Sequence, residues 1–186
     1  LWREWTWAQT GEAVREIANG LLSLDFQQGE CASILSNTVV EWMLADMAIL
    51  SCAGVSNGIY PTDSAEQAQY LCEDSRTTVL FVEDEEQLDK ALEVRDRLPL
   101  LRKIVVFDTK GLRDFRDEGV IDLAALRELG RIHAKDHPGA MQARVAAFDS
   151  LEAVRAWVGA AEGGGDEPPE KPDLLLVDYR LPQGET

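Results

Sequence analysis

Basic residues are in short supply. Lys and Arg number 18 against 34 Asp and Glu, a formal net charge of −16. Nucleic-acid binding needs clustered cations, so this charge excludes it, and it disfavours anionic membrane surfaces. Long apolar runs are missing as well. No stretch reaches the roughly 18 apolar residues of a membrane span. The first residues, Leu1-Trp2-Arg3-Glu4-Trp5, show no basic segment leading into an apolar core, so no signal peptide is expected there. Cysteine is limited to Cys31, Cys52 and Cys72, widely spaced and without a CxxC. That pattern excludes a paired zinc site and predicts buried, reduced thiols in a cytoplasmic protein. Histidine is rarer still. His133 and His137 lie four apart, a spacing that shares a helix face, but two ligands without a third make a poor metal site. Pro138 stops the helix there, so the pair reads as an exposed helix end.

What is present is ordinary for a soluble globular protein: 45% hydrophobic and 28% charged residues. The 186 residues make room for one domain, or for one domain and a piece of another. Trp5-Thr6-Trp7 is either a short strand or the lead-in to a helix over 8–24, whose Val14, Ile17, Ala18, Leu21 and Leu22 follow a helical period. A strand is predicted over 31–35. Thr38 and Glu41 have the spacing of a capping box for an apolar, well-buried helix to about 51. A strand over 54–60 stops at Pro61. Ser64 and Gln67 form a second capping box for a helix to about 74. A strand over 77–82, a helix over 85–98 and a strand over 103–107 follow. The acidic run Glu83-Asp84-Glu85-Glu86 suits a helix amino terminus. Beyond a polar connection, Asp122 caps a helix to about 135. His137-Pro138-Gly139 is a turn, followed by a strand over 144–148 and a helix over 151–160. The five tryptophans, Trp2, Trp5, Trp7, Trp42 and Trp157, read as packing residues. Alternating helices and short apolar strands predict an α/β fold with a mainly parallel sheet flanked by helices.

Four segments carry a resemblance. They are Trp7-Ala8-Gln9 with its helix, Ile34-Leu35-Ser36-Asn37 with Glu41-Trp42, Gly58-Ile59-Tyr60-Pro61-Thr62 with Ala65-Glu66-Gln67, and Val79-Leu80-Phe81-Val82-Glu83. In order and spacing, residues 1–138 resemble the amino-terminal part of AMP-forming long-chain acyl-CoA synthetases. The resemblance implies an α/β segment of an enzyme that uses ATP, Mg²⁺ and coenzyme A in its full length. That family relies on a Ser/Thr/Gly-rich phosphate loop ending in Pro-Lys-Gly, a Thr-Glu pair near magnesium, a ribose-binding Asp and a late Lys. None of these motifs occurs in the 186 residues. Without such groups the charge on a leaving pyrophosphate is not offset, so no catalytic residue and no cofactor is assigned to this chain and it is expected to be inactive alone.

A second resemblance covers the remainder, with residues 139–186 as a separate segment. The acidic, Gly- and Pro-rich stretch 162–172 is predicted to be a flexible loop, because its glycines have carboxylates rather than cations as neighbours. After it, Leu174-Leu175-Leu176-Val177-Asp178 is an apolar run that ends on a carboxylate, where parallel sheets place their chemistry. With Phe148-Asp149-Ser150 upstream and Tyr179-Arg180-Leu181-Pro182 downstream, this part looks like a partial response-regulator receiver domain. The resemblance implies that Asp178 accepts a phosphoryl group from a histidine kinase, and that Asp178 with the Arg180 backbone carbonyl helps to hold Mg²⁺. The paired acidic residues, the Ser/Thr and the Lys that receivers also need have no counterpart here. One carboxylate and one carbonyl are too few for octahedral Mg²⁺. Three function classes follow: a fragment of an adenylate-forming ligase, a phospho-accepting signalling module, and a scaffold that forms homo-oligomers through unpaired strand edges.

Overall fold

A computed structural model describes residues 4–146. It begins with a helix fixed by its own first turn. Thr6 is extended, its hydroxyl accepts from the Gln9 amide (3.2 Å), and the Gln9 side chain accepts from the Thr6 amide (2.9 Å). This reciprocal cap opens α1 (Trp7–Ser23) and decides the ambiguity at Trp5–Trp7 in favour of a helix lead-in. The apolar stripe Ala13, Val14, Ile17, Ala18 and Leu21 is buried as its period requires. Trp7 departs from the packing role expected of it. It lies at the first helical position, before that stripe begins, and is 81% exposed.

The elements then alternate: β1 (Cys31–Leu35), α2 (Val40–Ser51), β2 (Val55–Ile59), α3 (Ala65–Asp74), β3 (Thr77–Val82), α4 (Glu85–Val94), β4 (Lys103–Val106), β5 (Val120–Asp122), α5 (Leu123–Asp136) and α6 (Ala140–Ala146). All five strands are parallel, in the order β2-β1-β3-β4-β5. Successive strand residues face opposite ways, so β3 sends Val79 and Phe81 to one face and Leu80 and Val82 to the other. The first face is covered by α1, α2 and α5, the second by α3 and α4. Each fully buried side chain, such as Phe81, Leu80 or Leu88, contributes roughly 1.5–3 kcal/mol by leaving water. The α/β fold with a parallel sheet is thus the one expected. All three cysteines are buried thiols, and burial pushes Cys52 up to about 12 and Cys72 to about 11, so neither of these two is a nucleophile at neutral pH.

Several local expectations are corrected. The Thr38–Glu41 capping box does not form. Val39 caps α2 without a side-chain bond, because its amide donates to the Asn37 carbonyl (2.8 Å) and the chain before it is tied to β3 instead. Nor is α2 well buried all round: Leu44, Ala45, Ala48 and Ile49 face inward, while Val40 and Met47 reach solvent. The predicted helix over 85–98 ends as an α-helix at Val94 and finishes in a 3-10 turn over Arg95–Arg97. The connection after β4 contains an unexpected strand, β5, only three residues long. Finally, residues 144–146 of the strand expected over 144–148 belong to helix α6, which packs on the α1 and α2 side of the molecule. Met141 of α6 meets the core there.

Candidate functional site at the carboxyl edge of the sheet

Open parallel sheets bind ligands outside the carboxyl ends of their strands, where the strand order reverses. Here β1 connects outward to β2, and the chain then crosses to β3 on the other side of β1. The crevice between the carboxyl ends of β1 and β3 is therefore the place that the topology selects.

Three residues meet there. Ser36 and Asn37 continue from β1, and Glu83 continues from β3. The Glu83 Oε2 accepts from the Asn37 amide (2.6 Å), from Asn37 Nδ2 (2.9 Å) and from the Ser36 hydroxyl (3.2 Å). The Ser36 hydroxyl also lies 2.7 Å from the Asn37 carbonyl. Backbone pairing extends past the strands to hold the group in place, with the Glu83 amide on the Leu35 carbonyl (3.2 Å) and the Asp108 amide on the Glu83 carbonyl (2.7 Å). Ser36 is buried, Glu83 half-buried and Asn37 exposed. With Oε2 fully engaged, Glu83 Oε1 has no hydrogen-bond donor among the described residues. A half-buried carboxylate oxygen of this kind accepts a hydroxyl or an amide N–H from a ligand.

The rest of the edge is acidic. Asp84 caps α4 through the Gln87 amide (3.2 Å), as the acidic run predicted, and Asp122 caps α5 through the Ala125 amide (2.6 Å). Asp108 accepts from the Lys110 amide (2.9 Å). Glu85 lies against Gly111, where a side chain would collide with its carboxylate; the +93° φ of Gly111 also favours glycine. An edge with this many carboxylates suits donor-bearing, uncharged parts of a ligand and repels phosphate. Among the described residues no group of three His, Cys, Asp or Glu is placed to hold a metal ion. These residues therefore do not fit the phosphates or the magnesium of a nucleotide.

Of the sites read from the sequence, Asp178 and Arg180 lie outside the described residues, as do the 162–172 loop, the 151–160 helix, the acceptor strand, Trp2 and Trp157. His133 and His137 do come together, stacked at 4.5 Å between ring centroids. The grouping of Ser36, Asn37 and Glu83 was missed. Its signal was available, since Ser36 and Glu83 each follow directly on an apolar run and Asn37 is next to Ser36, but only the pairing of β1 with β3 brings the runs side by side. A groove of about 500 Å³ lies elsewhere, bounded by α1, α5, α6 and the turn at His137–Gly139, with no strand residue in its lining.

Comparisons with known proteins agree with the α/β fold. The chain is 32% identical over 152 residues to the long-chain-fatty-acid–CoA ligase FadD15 of Mycobacterium bovis, covering 82% of this chain and 24% of that protein. It is 32% identical over 106 residues to the long-chain-fatty-acid–CoA ligase ACSBG2 of Xenopus laevis, covering 57% of this chain and 14% of the relative. The chain thus spans about a quarter or less of the length of these relatives. Among solved structures, the anthranilate CoA ligase AuaEII in complex with anthranoyl-AMP superposes with a TM-score of 0.61 at 26% identity, over 68% of this chain and 23% of that one. The coronafacic acid ligase of Pectobacterium brasiliense, at 18% identity and a TM-score of 0.61 over 68% of this chain and 25% of its own, shares the fold. The family model for AMP-binding enzymes matches residues 1–155, and with the sheet it implies in place, this chain belongs to the AMP-binding enzyme family.

Proposed function

We propose that this chain supplies part of the adenylate-forming portion of a fatty-acid–CoA ligase, and that the β1–β3 crevice forms one wall of that enzyme's ligand site. The family match over residues 1–155 carries the reading. The relatives named as long-chain-fatty-acid–CoA ligases support the substrate class, and the neighbour solved with anthranoyl-AMP supports adenylate chemistry. The complete reaction uses ATP, Mg²⁺ and coenzyme A. Asn37 and the open oxygen of Glu83 offer hydrogen bonds to hydroxyl or amide groups of a ligand, and Ser36 fixes the Glu83 carboxylate. The acidic edge makes no provision for the triphosphate, and the phosphate-loop motif does not occur in the sequence. The 186-residue chain is therefore inactive by itself. ATP–pyrophosphate exchange with palmitate and Mg²⁺ tests this. Background exchange is the expected result, and exchange above background overturns the inactivity.

Two other readings each have a specific observation behind them. The Leu174–Asp178 run supports a phospho-accepting module, with Asp178 as acceptor, Mg²⁺ at Asp178 and the Arg180 carbonyl, and a histidine kinase as partner. Treatment with acetyl phosphate and Mg²⁺ would then produce a mass increase that Asp178→Asn abolishes. The outer edges of β2 and β5, which have no strand neighbour among the described residues, support self-association. A monomer at high concentration in size exclusion removes that reading.

A further inference from the structure

The sheet has two outer edges, and they are not alike. β5 is three residues long and ends on Asp122, with Asp117 and Glu118 just before it. A short edge flanked by charge is protected against pairing. β2 is five residues long, Val55-Ser56-Asn57-Gly58-Ile59, without a charge or a proline. The Val55 amide donates to the Glu30 carbonyl (2.9 Å) on the β1 side, and successive residues of a strand alternate. Ser56 and Gly58 therefore turn their amides and carbonyls away from β1, where no described strand meets them.

The connections between the strands share one hand. β1 reaches β2, toward one end of the sheet, through α2 on the face that also carries α1 and α5. The steps toward the other end, β2 to β3, β3 to β4 and β4 to β5, run over the opposite face, through α3, α4 and the loop of Leu112 and Phe115. Opposite directions on opposite faces are the same hand, which for parallel strands is right-handed. After β5 the chain crosses back on the first face, with Leu123 and Leu126 of α5 and Met141 of α6 in its core. On that face a right-handed connection leads toward the β2 end. β1, β3 and β4 each have a strand on both sides, so the place left open is the outer edge of β2. α6 has already carried the chain to that side. It packs on α1 and α2, and Arg144 reaches Gln27 (3.5 Å), which lies shortly before β1 at the amino end of the sheet.

We propose that Leu174-Leu175-Leu176-Val177 of the same chain is a sixth strand, parallel to β2 on its outer edge. An apolar run without alternation suits a parallel sheet. Residues 147–173 lie between it and α6, more than the roughly dozen that a parallel crossover needs. The tether holds the run near that edge at an effective concentration on the order of millimolar, ahead of a second copy. The pairing satisfies Ser56 and Gly58, closes an edge otherwise open to association, and brings Asp178 to the carboxyl end of the sheet. Nothing in it depends on the ligase reading.

NMR on the 186-residue chain tests the sixth strand. Backbone NOEs between 174–177 and 55–59 are the expected result. The Ser56 and Gly58 amides should exchange roughly tenfold more slowly than in a variant carrying both Leu175→Pro and Leu176→Pro. Successive amides point to opposite sides, so the two prolines remove a ladder donor in either register. The β3 amides should keep their protection in that variant and report that the fold survives. If they lose it, the NOEs of the unaltered chain decide alone. Absence of those NOEs overturns the proposal, as do NOEs from 174–177 to 120–122, which would put the run on β5. So does protection of Ser56 and Gly58 that survives both prolines, or that falls on dilution, which would assign the edge to a second copy.

Discussion

The two ends of the sheet use polar residues in opposite ways. At the amino end, donors and acceptors consume one another. Thr77, buried at the start of β3, shares its hydroxyl with Ser33 (2.5 Å) and Ser75 (2.8 Å), and Asn57 donates to Ser33 (3.0 Å). Thr78 donates to the Cys31 carbonyl (3.2 Å), and Glu30 is gripped by both terminal nitrogens of Arg102 (2.9 and 2.5 Å). The chain turns back into β1, β2 and β3 through Asp25, Ala53 and Arg76, non-glycine residues held at φ near +60°. At the carboxyl end, by contrast, Glu83 engages only one of its oxygens, and Asp84, Asp108 and Asp122 serve local turns and caps. A closed network gives up versatility for stability. An open one retains groups that can still meet a ligand.

If that contrast is right, substitutions at the amino end cost folding energy and those at the carboxyl end cost little. Thr77→Val keeps the shape but leaves the buried Ser33 hydroxyl and the half-buried Ser75 hydroxyl each short of a partner, at a cost of about 1–3 kcal/mol. A lower urea midpoint with an unchanged m value is the result to look for. Glu83→Ala takes the acceptor from Asn37 and Ser36 at about 1 kcal/mol, because water reaches that edge. A loss as large as that of Thr77→Val would erase the distinction between the ends. Arg102→Ala should cost roughly 0.5–1 kcal/mol, since the arginine is partly exposed, and a double-mutant cycle with Glu30→Ala should return most of it as coupling. Burial pushes the Glu30 carboxyl up, but the Arg102 hydrogen bonds and the Gln27 amide outweigh this and hold it below 4.5. Its folded value is depressed, so the stability it adds is present above about pH 4.5 and fades as the pH falls further. In Arg102→Ala that acid sensitivity should shrink. Smallest, Arg76→Gly should stabilise by about 0.5 kcal/mol, because glycine accepts the left-handed turn at less cost. A fall in melting temperature would show that the Arg76 side chain contributes more than its backbone costs.

Much of this was legible from residue order. The caps at Ser64 and Asp122 formed where the sequence put them, and the acidic run 83–86 did mark a helix amino terminus, because these signals involve residues only about three apart. The strands at 31–35 and 77–82 were legible because residues buried on both faces leave an apolar run. Thr38 shows the limit. Its box was locally sound and lost to a bond from Asn37 to Glu83, 46 residues away. β5 was missed because three half-buried residues leave too weak a pattern. Arg144, read as strand, lies instead in the helix α6.

The sequence alone determined the alternation of helix and strand, the faces that turn inward, and a family resemblance over its first 138 residues. These depend on periodicity and on neighbours within a turn or two. Which strand ends lie side by side was decided only in three dimensions. The order β2-β1-β3-β4-β5 is a choice among long-range pairings, and no local pattern encodes it. Ser36, Asn37 and Glu83 became one site, and His133 came to rest on α1, because closing those distances depends on burying the whole core at once.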